Sequence, residues 1–308
     1  MTPGQPTITQ LRALVAVADR LHFGEAAADL GVSQPSVSSA IAGLESALGV
    51  PLVERSTRRV VLTSAGLEAV GRAREVLRGL EGLVETAERG GRPFSGPLRL
   101  GVIPTVAPYV LLPLLRTLAR RFPLLRPDVR EDQTAHLLDQ LADGRLDLLL
   151  LALPSGGPDV VEIPLYAEDF LLLVADSDPL AGKTRLSPSI LKDVPLLLLE
   201  EGHCLRDQAL DLCRRVGAAT SHVAKATSLT TLSQLVVAGL GVTLLPATAA
   251  SVESRRGLAT ASFRPPAPGR RLGLVHRAAS TRGGEYLEIA SRLRDALESS
   301  PLPVRPIR

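Results

Sequence analysis

Residues 146–153, LDLLLLAL, form the apolar run that most restricts the fold of this chain. The run is too short to span a membrane, and its length and composition predict a buried strand. It follows a strand pattern at 98–103 and helical patterns at 106–121 and 134–143. Strands that alternate with helices predict parallel sheets with helical crossovers, so this part of the chain is predicted to be α/β.

A second stretch of the same pattern begins at VEIPLYAEDFLLLVAD and predicts a further α/β unit, with PLLLLEE as a strand and a helix at 229–239. RRLGLVHR, at 270–277, returns the chain to the first unit, and 283–298 is a closing helix. The predicted regulatory part is therefore two-lobed. Lobe I covers about 98–164 and 270–308, and lobe II covers about 165–269.

Composition limits the class of protein. The chain has 308 residues, 45% of them hydrophobic and 22% charged, which is usual for a folded protein. It contains no apolar run of transmembrane length, and its N-terminus lacks the pattern of a signal peptide, so the sequence predicts a cytoplasmic protein without membrane contact. The net charge is only +3, so a nucleic-acid interface requires basic residues concentrated in one place.

Residues 1–66 predict three short helices, of which the third has an exposed polar face. Gly31 and Val32 supply a turn, Ser33 is a good N-cap, and Pro35 suits the first helical turn. Hydroxyls and an amide near the start of a short helix are typical of a recognition helix in the major groove. The alternative is a three-helix bundle with a solvated polar face. The residues predicted to contact DNA from this helix are Ser33, Gln34, Pro35, Ser36 and Ser38.

RSTRRVVLTSAG, at 55–66, is locally basic and contains no acidic residue. It connects two short β-prone segments, which predicts a wing. Arg55, Arg58 and Arg59 are predicted to contact phosphates or a minor groove from this wing.

A long helix is predicted from Thr63, its N-cap, to about Arg89. A solitary helix cannot bury an apolar stripe, so the helix is predicted to pair with a second copy of the chain. The predicted domains are a winged helix-turn-helix at 1–66, a linker and dimerisation helix at 67–92, and a regulatory domain at 93–308. The stripe consists of Leu67, Val70, Ala73, Leu77, Leu80 and Val84.

The two cysteines of the chain, Cys204 and Cys213, both lie in GHCLRDQALDLC. His203 and Arg206 are able to stabilise a Cys204 thiolate, and a lowered thiol pKa makes a cysteine reactive towards oxidants. Asp207 acts in the opposite direction.

The same segment predicts a helix over 204–216, because apolar residues recur at helical spacing and Gly217 follows. In an intact helix, residues nine apart are separated by about 13.5 Å along the axis, whereas a disulfide needs Cα atoms within roughly 7 Å. Either the two thiols never meet and are inert, or oxidation unwinds the segment.

Three hydroxyl residues are predicted at helix starts near the carboxyl ends of strands, where ligands bind in α/β sheets. Thr105 follows the strand at 98–103, and Thr134 and Ser228 precede helices. Each of the three, taken singly, is also explained as an N-cap.

Two sets of motifs resemble the LysR-type transcriptional regulators. FGEAAADLGVSQPSVSSAIAGLESALGVPLVERSTRRVVLTSAG is similar to their DNA-binding domain over its full length. GHCLRDQ, ATSLTTL and GLGVTLLPA resemble the regulatory domain of those members that sense hydrogen peroxide. The resemblance implies an N-terminal winged helix-turn-helix, a linker helix and a two-lobed α/β domain like that of periplasmic binding proteins.

The resemblance also implies a redox switch. On this resemblance, Cys204 reacts with peroxide and Cys213 then forms a reversible disulfide with it. Thr105 and Thr134 match the threonines that hold peroxide, and Arg270 approximately matches an arginine near the thiolate. The other residues predicted to line the peroxide pocket are His203, Arg206, Asp207 and Ser228.

The expected partners are double-stranded DNA, a second copy of the chain in a dimer or dimer of dimers, RNA polymerase and a thiol reductant. No metal, cofactor or enzymatic activity is expected. One alternative is a LysR-type regulator that answers a small metabolite. The other is a thiol peroxidase, which the DNA-binding motifs disfavour.

Overall fold

The computed structural model describes residues 4–55, 60–88, 92–218, 225–253 and 256–307. The chain divides into two compact units, 1–91 and 92–308, and each has a hydrophobic core. Among the described residues, no helix is long and apolar enough to cross a membrane.

The N-terminal unit is a helix-turn-helix followed by a two-stranded wing and a long helix. Its elements are α1 (Ile8–Arg20), α2 (Phe23–Leu30), α3 (Gln34–Leu48), β1 (Val53–Arg55), β2 (Val60–Leu62) and α4 (Ser64–Glu88). Gly31 ends α2 at φ 64°, a left-handed conformation that glycine adopts without strain. Ser33 caps α3, and Thr63 accepts a hydrogen bond from the Gly66 backbone N–H at the start of α4. The predicted caps are therefore confirmed.

The apolar stripe of α4 is partly buried within the N-terminal unit. Val70 and Ala73 are 5% and 2% exposed and pack in the core of the N-terminal unit, so the prediction that they meet a second copy was wrong. Sequence spacing shows that a stripe is apolar but not which surface covers it. Leu67 of the stripe is exposed, and so are Val76 and Leu83, which were not part of the predicted stripe.

The C-terminal unit is a mixed α/β structure. Its first elements are β3 (Gly96–Val102), α5 (Ala107–Arg121), β4 (Leu125–Glu131), α6 (Thr134–Ala142), β5 (Leu148–Leu153), β6 (Val160–Ala175), a 3-10 helix (Pro188–Lys192) and β7 (Leu198–Leu199). The later elements are α7 (Cys204–Val216), β8 (Lys225–Ala226), α8 (Leu229–Val237), β9 (Thr243–Pro246), α9 (Ala247–Glu253), β10 (Leu258–Ser262), β11 (Gly269–Arg277), α10 (Gly283–Glu298) and β12 (Arg305–Pro306).

The main sheet has the order β10-β6-β11-β5-β3-β4, with β9 and β12 also paired to β6. Only β4, β3 and β5 are parallel, while β11 is antiparallel to both β5 and β6. The predicted parallel pairing is therefore confirmed for the strands at 98–103 and 146–153, whereas β6 and β11, to which the same pattern was extended, pair antiparallel. An apolar run indicates that a strand is buried, but it does not indicate whether the neighbouring strand is parallel or antiparallel to it.

β6 is the strand that joins the two lobes. It is 16 residues long, and its first part pairs with β11 while its last part pairs with β9 and β10. In lobe II, α7 packs against the 3-10 helix and β7. The two-lobed α/β fold predicted from the sequence is confirmed.

Candidate functional site

Cys204 is the first residue of α7, and His203 precedes it in an extended conformation. The helix ends at Val216, and Gly217 follows at φ 69°, so its bounds agree with the sequence prediction. The first backbone N–H groups of a helix have no partner within the helix and carry a partial positive charge. The Cys204 sulfur therefore lies where negative charge is stabilised.

Thr105 and Arg270 meet in the interior beside this thiol. Arg270 Nη1 donates to Thr105 Oγ1 at 2.8 Å, and Nη2 donates to the Thr105 carbonyl oxygen at 2.9 Å. A hydroxyl that accepts from a guanidinium keeps its own proton for another bond. Hydrogen bonding between Thr105 and the Cys204 sulfur acts to lower the pKa of this thiol.

Thr134 is the first residue of α6, directly after the N-cap residue Gln133. It does not cap the helix, because its hydroxyl is buried and has no well-formed hydrogen bond among the described residues. It nevertheless lies close enough to the Cys204 sulfur to lower the pKa of the thiol. A buried hydroxyl without a good partner is poised to bind a small polar molecule.

Opposing influences set the ionisation of Cys204. Burial is the largest and raises the pKa of the thiol, whereas the positive charge of Arg270 and the hydroxyls of Thr134 and Thr105 lower it, and Asp207 raises it. The pKa remains above the ordinary value of a cysteine. The reduced site therefore holds mostly the protonated thiol at neutral pH.

Two residues of the site were missed by the sequence analysis. Glu168 Oε1 accepts from Arg270 Nε at 2.8 Å, and Glu168 Oε2 accepts from the backbone N–H and hydroxyl of Thr248 at 3.1 and 2.7 Å. Glu168 and Arg270 are direct cross-strand partners on β6 and β11. An acidic residue inside the apolar run of β6 was the available signal for Glu168, and no comparable signal marked Thr248.

Other sequence-predicted residues have different partners. Arg206 donates to Glu201 at 3.2 Å and lies 3.8 Å from Asp207. Burial lowers the pKa of His203, although Glu200 acts to raise it, so the imidazole is mainly neutral at physiological pH. Ser228 caps α8 by accepting from the Thr231 backbone N–H.

Cys213 is a free thiol on the same helix as Cys204, 1% exposed and packed in the hydrophobic core. Burial raises the pKa of this thiol as well.

Cys204, Thr134 and Arg270 also line a cleft of about 800 Å³. Within the described part of the chain, no group of three or more His, Cys, Asp or Glu side chains is placed to hold a metal ion.

The predicted DNA-contacting residues lie on the N-terminal unit. Ser33, Gln34, Pro35 and Ser36 are exposed at the start of α3, and Ser38 is half-buried. The Ser33 and Ser36 hydroxyls hydrogen-bond each other at 2.8 Å. β1 and β2 pair antiparallel, so the predicted wing strands form. Arg58 and Arg59, and the side chain of Arg55, lie outside the described residues.

Comparison with known proteins agrees with this architecture. Residues 8–67 match the bacterial regulatory helix-turn-helix protein, lysR family, and residues 91–298 match the LysR substrate binding domain. The chain belongs to the LysR family.

Several relatives of this LysR-family chain are named for hydrogen peroxide. The chain is 52% identical over 307 residues to a probable hydrogen peroxide-inducible genes activator from Streptomyces viridosporus, covering 99% of this chain and 98% of that one. An H2O2-bound cysteine-to-serine mutant of Corynebacterium glutamicum OxyR is 46% identical, with a TM-score of 0.67 and coverage of 96% and 94%. The oxidized form of the same OxyR has a TM-score of 0.60, with 46% identity and coverage of 96% and 92%.

Proposed function

We propose that this LysR-family protein is a DNA-binding transcriptional regulator that hydrogen peroxide switches through Cys204. The proposal rests on the partly buried Cys204 thiol at a helix start, beside the hydroxyls of Thr105 and Thr134 and the guanidinium of Arg270. The names of its relatives, one of them solved with H2O2 bound, support the same effector.

The first chemical step oxidises Cys204 by two electrons. The thiol loses its proton, and the thiolate sulfur attacks one oxygen of hydrogen peroxide, forming an S–O bond as the O–O bond breaks. The departing hydroxide takes up a proton and leaves as water, so Cys204 becomes a sulfenic acid. Thr105 and Thr134 orient the peroxide, and Arg270 stabilises the negative charge on the attacking and departing atoms.

The second step forms a disulfide. The Cys213 thiolate attacks the sulfur of the sulfenic acid, an S–S bond forms, and the released hydroxide takes up a proton and leaves as water. Cys213 approaches only if α7 unwinds between the two cysteines. Return to the reduced state needs two electrons and two protons, which a thiol reductant supplies.

DNA recognition is assigned to the N-terminal unit. The exposed start of α3, with Gln34 at its centre, reads bases in the major groove, while Arg55, Arg58 and Arg59 of the wing contact phosphates. We assign DNA binding to 1–66, self-association to 67–92 and redox sensing to 93–308. Regulation of transcription then proceeds through contact with RNA polymerase.

Self-association is assigned to α4. Val76 and Leu83 are 51% and 66% exposed, and seven residues correspond to about two helical turns, so both lie on one face. Val76 also borders an apolar groove of about 610 Å³ that includes Leu48 and Val50. A second copy of α4 covers this surface in a dimer, and two dimers form the tetramer.

Mass spectrometry tests the proposed switch. One equivalent of peroxide should remove two hydrogens from the reduced protein, mapped to the peptide that holds Cys204 and Cys213. The Cys204→Ser protein, as the control, should not change in mass. An unchanged mass in the parent protein would contradict peroxide sensing.

A second candidate is a LysR-family regulator that responds to a small metabolite. The observation that favours it is the cleft beside Cys204, whose volume of about 800 Å³ suits a ligand much larger than peroxide. A metabolite that alters DNA binding of the Cys204→Ser protein would support this candidate.

A further inference from the structure

Arg270 is held in one orientation by hydrogen bonds from all three nitrogens of its guanidinium. Its Nε donates to Glu168 Oε1, and its two Nη atoms donate to the hydroxyl and the carbonyl oxygen of Thr105, all at 2.8 to 2.9 Å. The Arg270 and Glu168 side chains are both 0% exposed. Because the guanidinium is a rigid plane, these bonds fix the side of Arg270 that faces Cys204.

The carboxylate of Glu168 is itself anchored by α9. Its Oε2 accepts from the Thr248 hydroxyl at 2.7 Å and from the Thr248 backbone N–H at 3.1 Å. Thr248 is 1% exposed, and the preceding strand β9 pairs with β6. Both oxygens of Glu168 therefore have partners, and the carboxylate cannot turn away from Arg270.

Glu168 also limits the electrostatic effect of Arg270. In a buried site with little water, a carboxylate in contact with a cation cancels much of the field that the cation exerts on a third group. Arg270 is the strongest influence that lowers the pKa of Cys204, yet burial outweighs it. Without the carboxylate, the full charge of the guanidinium would act on the thiol.

We propose that Glu168 is a positioning residue for the reaction of Cys204, because it orients Arg270 towards Thr105 and the thiol and cancels part of its charge. The inference rests on the peroxide-sensing function proposed above. Glu168 acts through Arg270 and does not contact peroxide.

The test compares Glu168→Gln with the parent and with Glu162→Gln, which removes the same charge from an exposed position on β6. The reduced full-length proteins are labelled with iodoacetamide over a pH series, and labelling of Cys204 is followed by peptide mass. In Glu168→Gln the midpoint of the labelling rate against pH should fall by about one pH unit, which is a tenfold change in the ratio of thiolate to thiol. The plateau rate of labelling at high pH should not rise. Glu162→Gln should keep the parental midpoint.

The same variants are then oxidised with hydrogen peroxide at a pH above both midpoints. Glu168→Gln should react more slowly, on the order of tenfold, because Arg270 stays near the thiol but its guanidinium and Thr105 are no longer fixed in orientation. The thiol thus becomes easier to ionise but slower to react with peroxide. A general loosening of the fold would not produce this pair of effects.

An unchanged midpoint of the labelling profile in Glu168→Gln would overturn the proposal. A lower midpoint together with a higher plateau rate of labelling would also overturn it, since the site would then simply have opened to water. If Glu168→Gln does not fold, Thr248→Val replaces it. That variant keeps both charges, so its midpoint should stay parental while its peroxide reaction slows, and a parental peroxide rate would overturn the proposal. Iodoacetamide labelling uses no peroxide, so it tests the role of Glu168 independently of the proposed function. If the proposed function is wrong, the parent protein itself will not react with hydrogen peroxide.

Discussion

Cys204 and Cys213 lie on one helix, α7, nine residues apart and on opposite sides of it. In an intact helix this spacing separates them by about 13.5 Å along the axis and about 180° around it, whereas a disulfide needs Cα atoms within roughly 7 Å. The reduced fold therefore keeps the two thiols apart. Any bond between them requires a large change in backbone structure.

The first prediction is that the disulfide abolishes most of α7. Backbone amides of 204–216 should be protected from hydrogen exchange in the reduced protein and exchange rapidly after oxidation, because bond formation costs the helical turns between the cysteines. The Cys213→Ser protein should react with peroxide at near-parental speed and stop at the sulfenic acid. Equal protection in both states, together with a mapped disulfide, would mean that unwinding of α7 is not the switch.

The second prediction concerns pH. Burial keeps the pKa of the Cys204 thiol above its ordinary value, and the thiolate is the reacting species, so protonation suppresses the reaction below that pKa. The rate of oxidation by peroxide should therefore rise about tenfold per pH unit between pH 6 and 8, without a plateau below about pH 8.5. Stopped-flow measurement over this range provides the check. A flat profile would show that the reacting thiol is already ionised.

The third prediction separates Thr105 from Thr134. Thr105→Val leaves Arg270 Nη1 without its acceptor in a buried site, which should cost about 1–3 kcal/mol of unfolding free energy. The Thr134 hydroxyl has no well-formed bond among the described residues, so Thr134→Val should change stability by less than about 0.5 kcal/mol. Both variants should slow oxidation of Cys204. Denaturant titration gives the stabilities, and equal losses in the two variants would contradict the assigned contacts.

Much of the fold could be predicted because its signals are local. The helix at 204–216, the N-cap Ser33 and the closing helix at 283–298 follow from apolar spacing and capping residues, and the structure agrees with all three. The mixed direction of the main sheet could not be predicted, because it depends on where β11 inserts between β5 and β6.

The site was less accessible to sequence reasoning because its contacts span long separations. Glu168 and Arg270 are 102 residues apart, and Thr105 and Arg270 are 165 apart, so only the β6–β11 register and the path of β3 bring them together. Arg206, by contrast, is close to Cys204 in sequence, yet its guanidinium pairs with Glu201. The cation that lowers the pKa of Cys204 is Arg270, which only the family resemblance indicated from the sequence.

The fourth prediction concerns DNA. Gln34 is exposed near the start of α3, where an amide can read a base edge, so Gln34→Ala should change sequence preference. Replacing Arg58 and Arg59 with Ala should weaken binding to all sequences and lower the salt slope by about one per lost phosphate contact. Footprinting and titrations at several salt concentrations separate the two effects. Parental behaviour in both variants would remove these residues from the interface.

The last prediction concerns self-association through α4. Val76 and Leu83 share one exposed face of this helix, whereas Val70 and Ala73 are buried within the N-terminal unit. The Val76→Glu, Leu83→Glu double variant should therefore weaken the dimer by charge burial while leaving the unit folded, and DNA affinity should fall because two recognition helices no longer bind together. Analytical ultracentrifugation measures the dimer, and circular dichroism verifies the fold.

The matched control is Leu67→Glu. Leu67 is 63% exposed, so it is comparable to Val76 and Leu83, but it lies about 180° around the helix from Val76, and its replacement should leave the dimer intact. A double variant that still sediments as the parent does would place the dimer contact elsewhere on the chain.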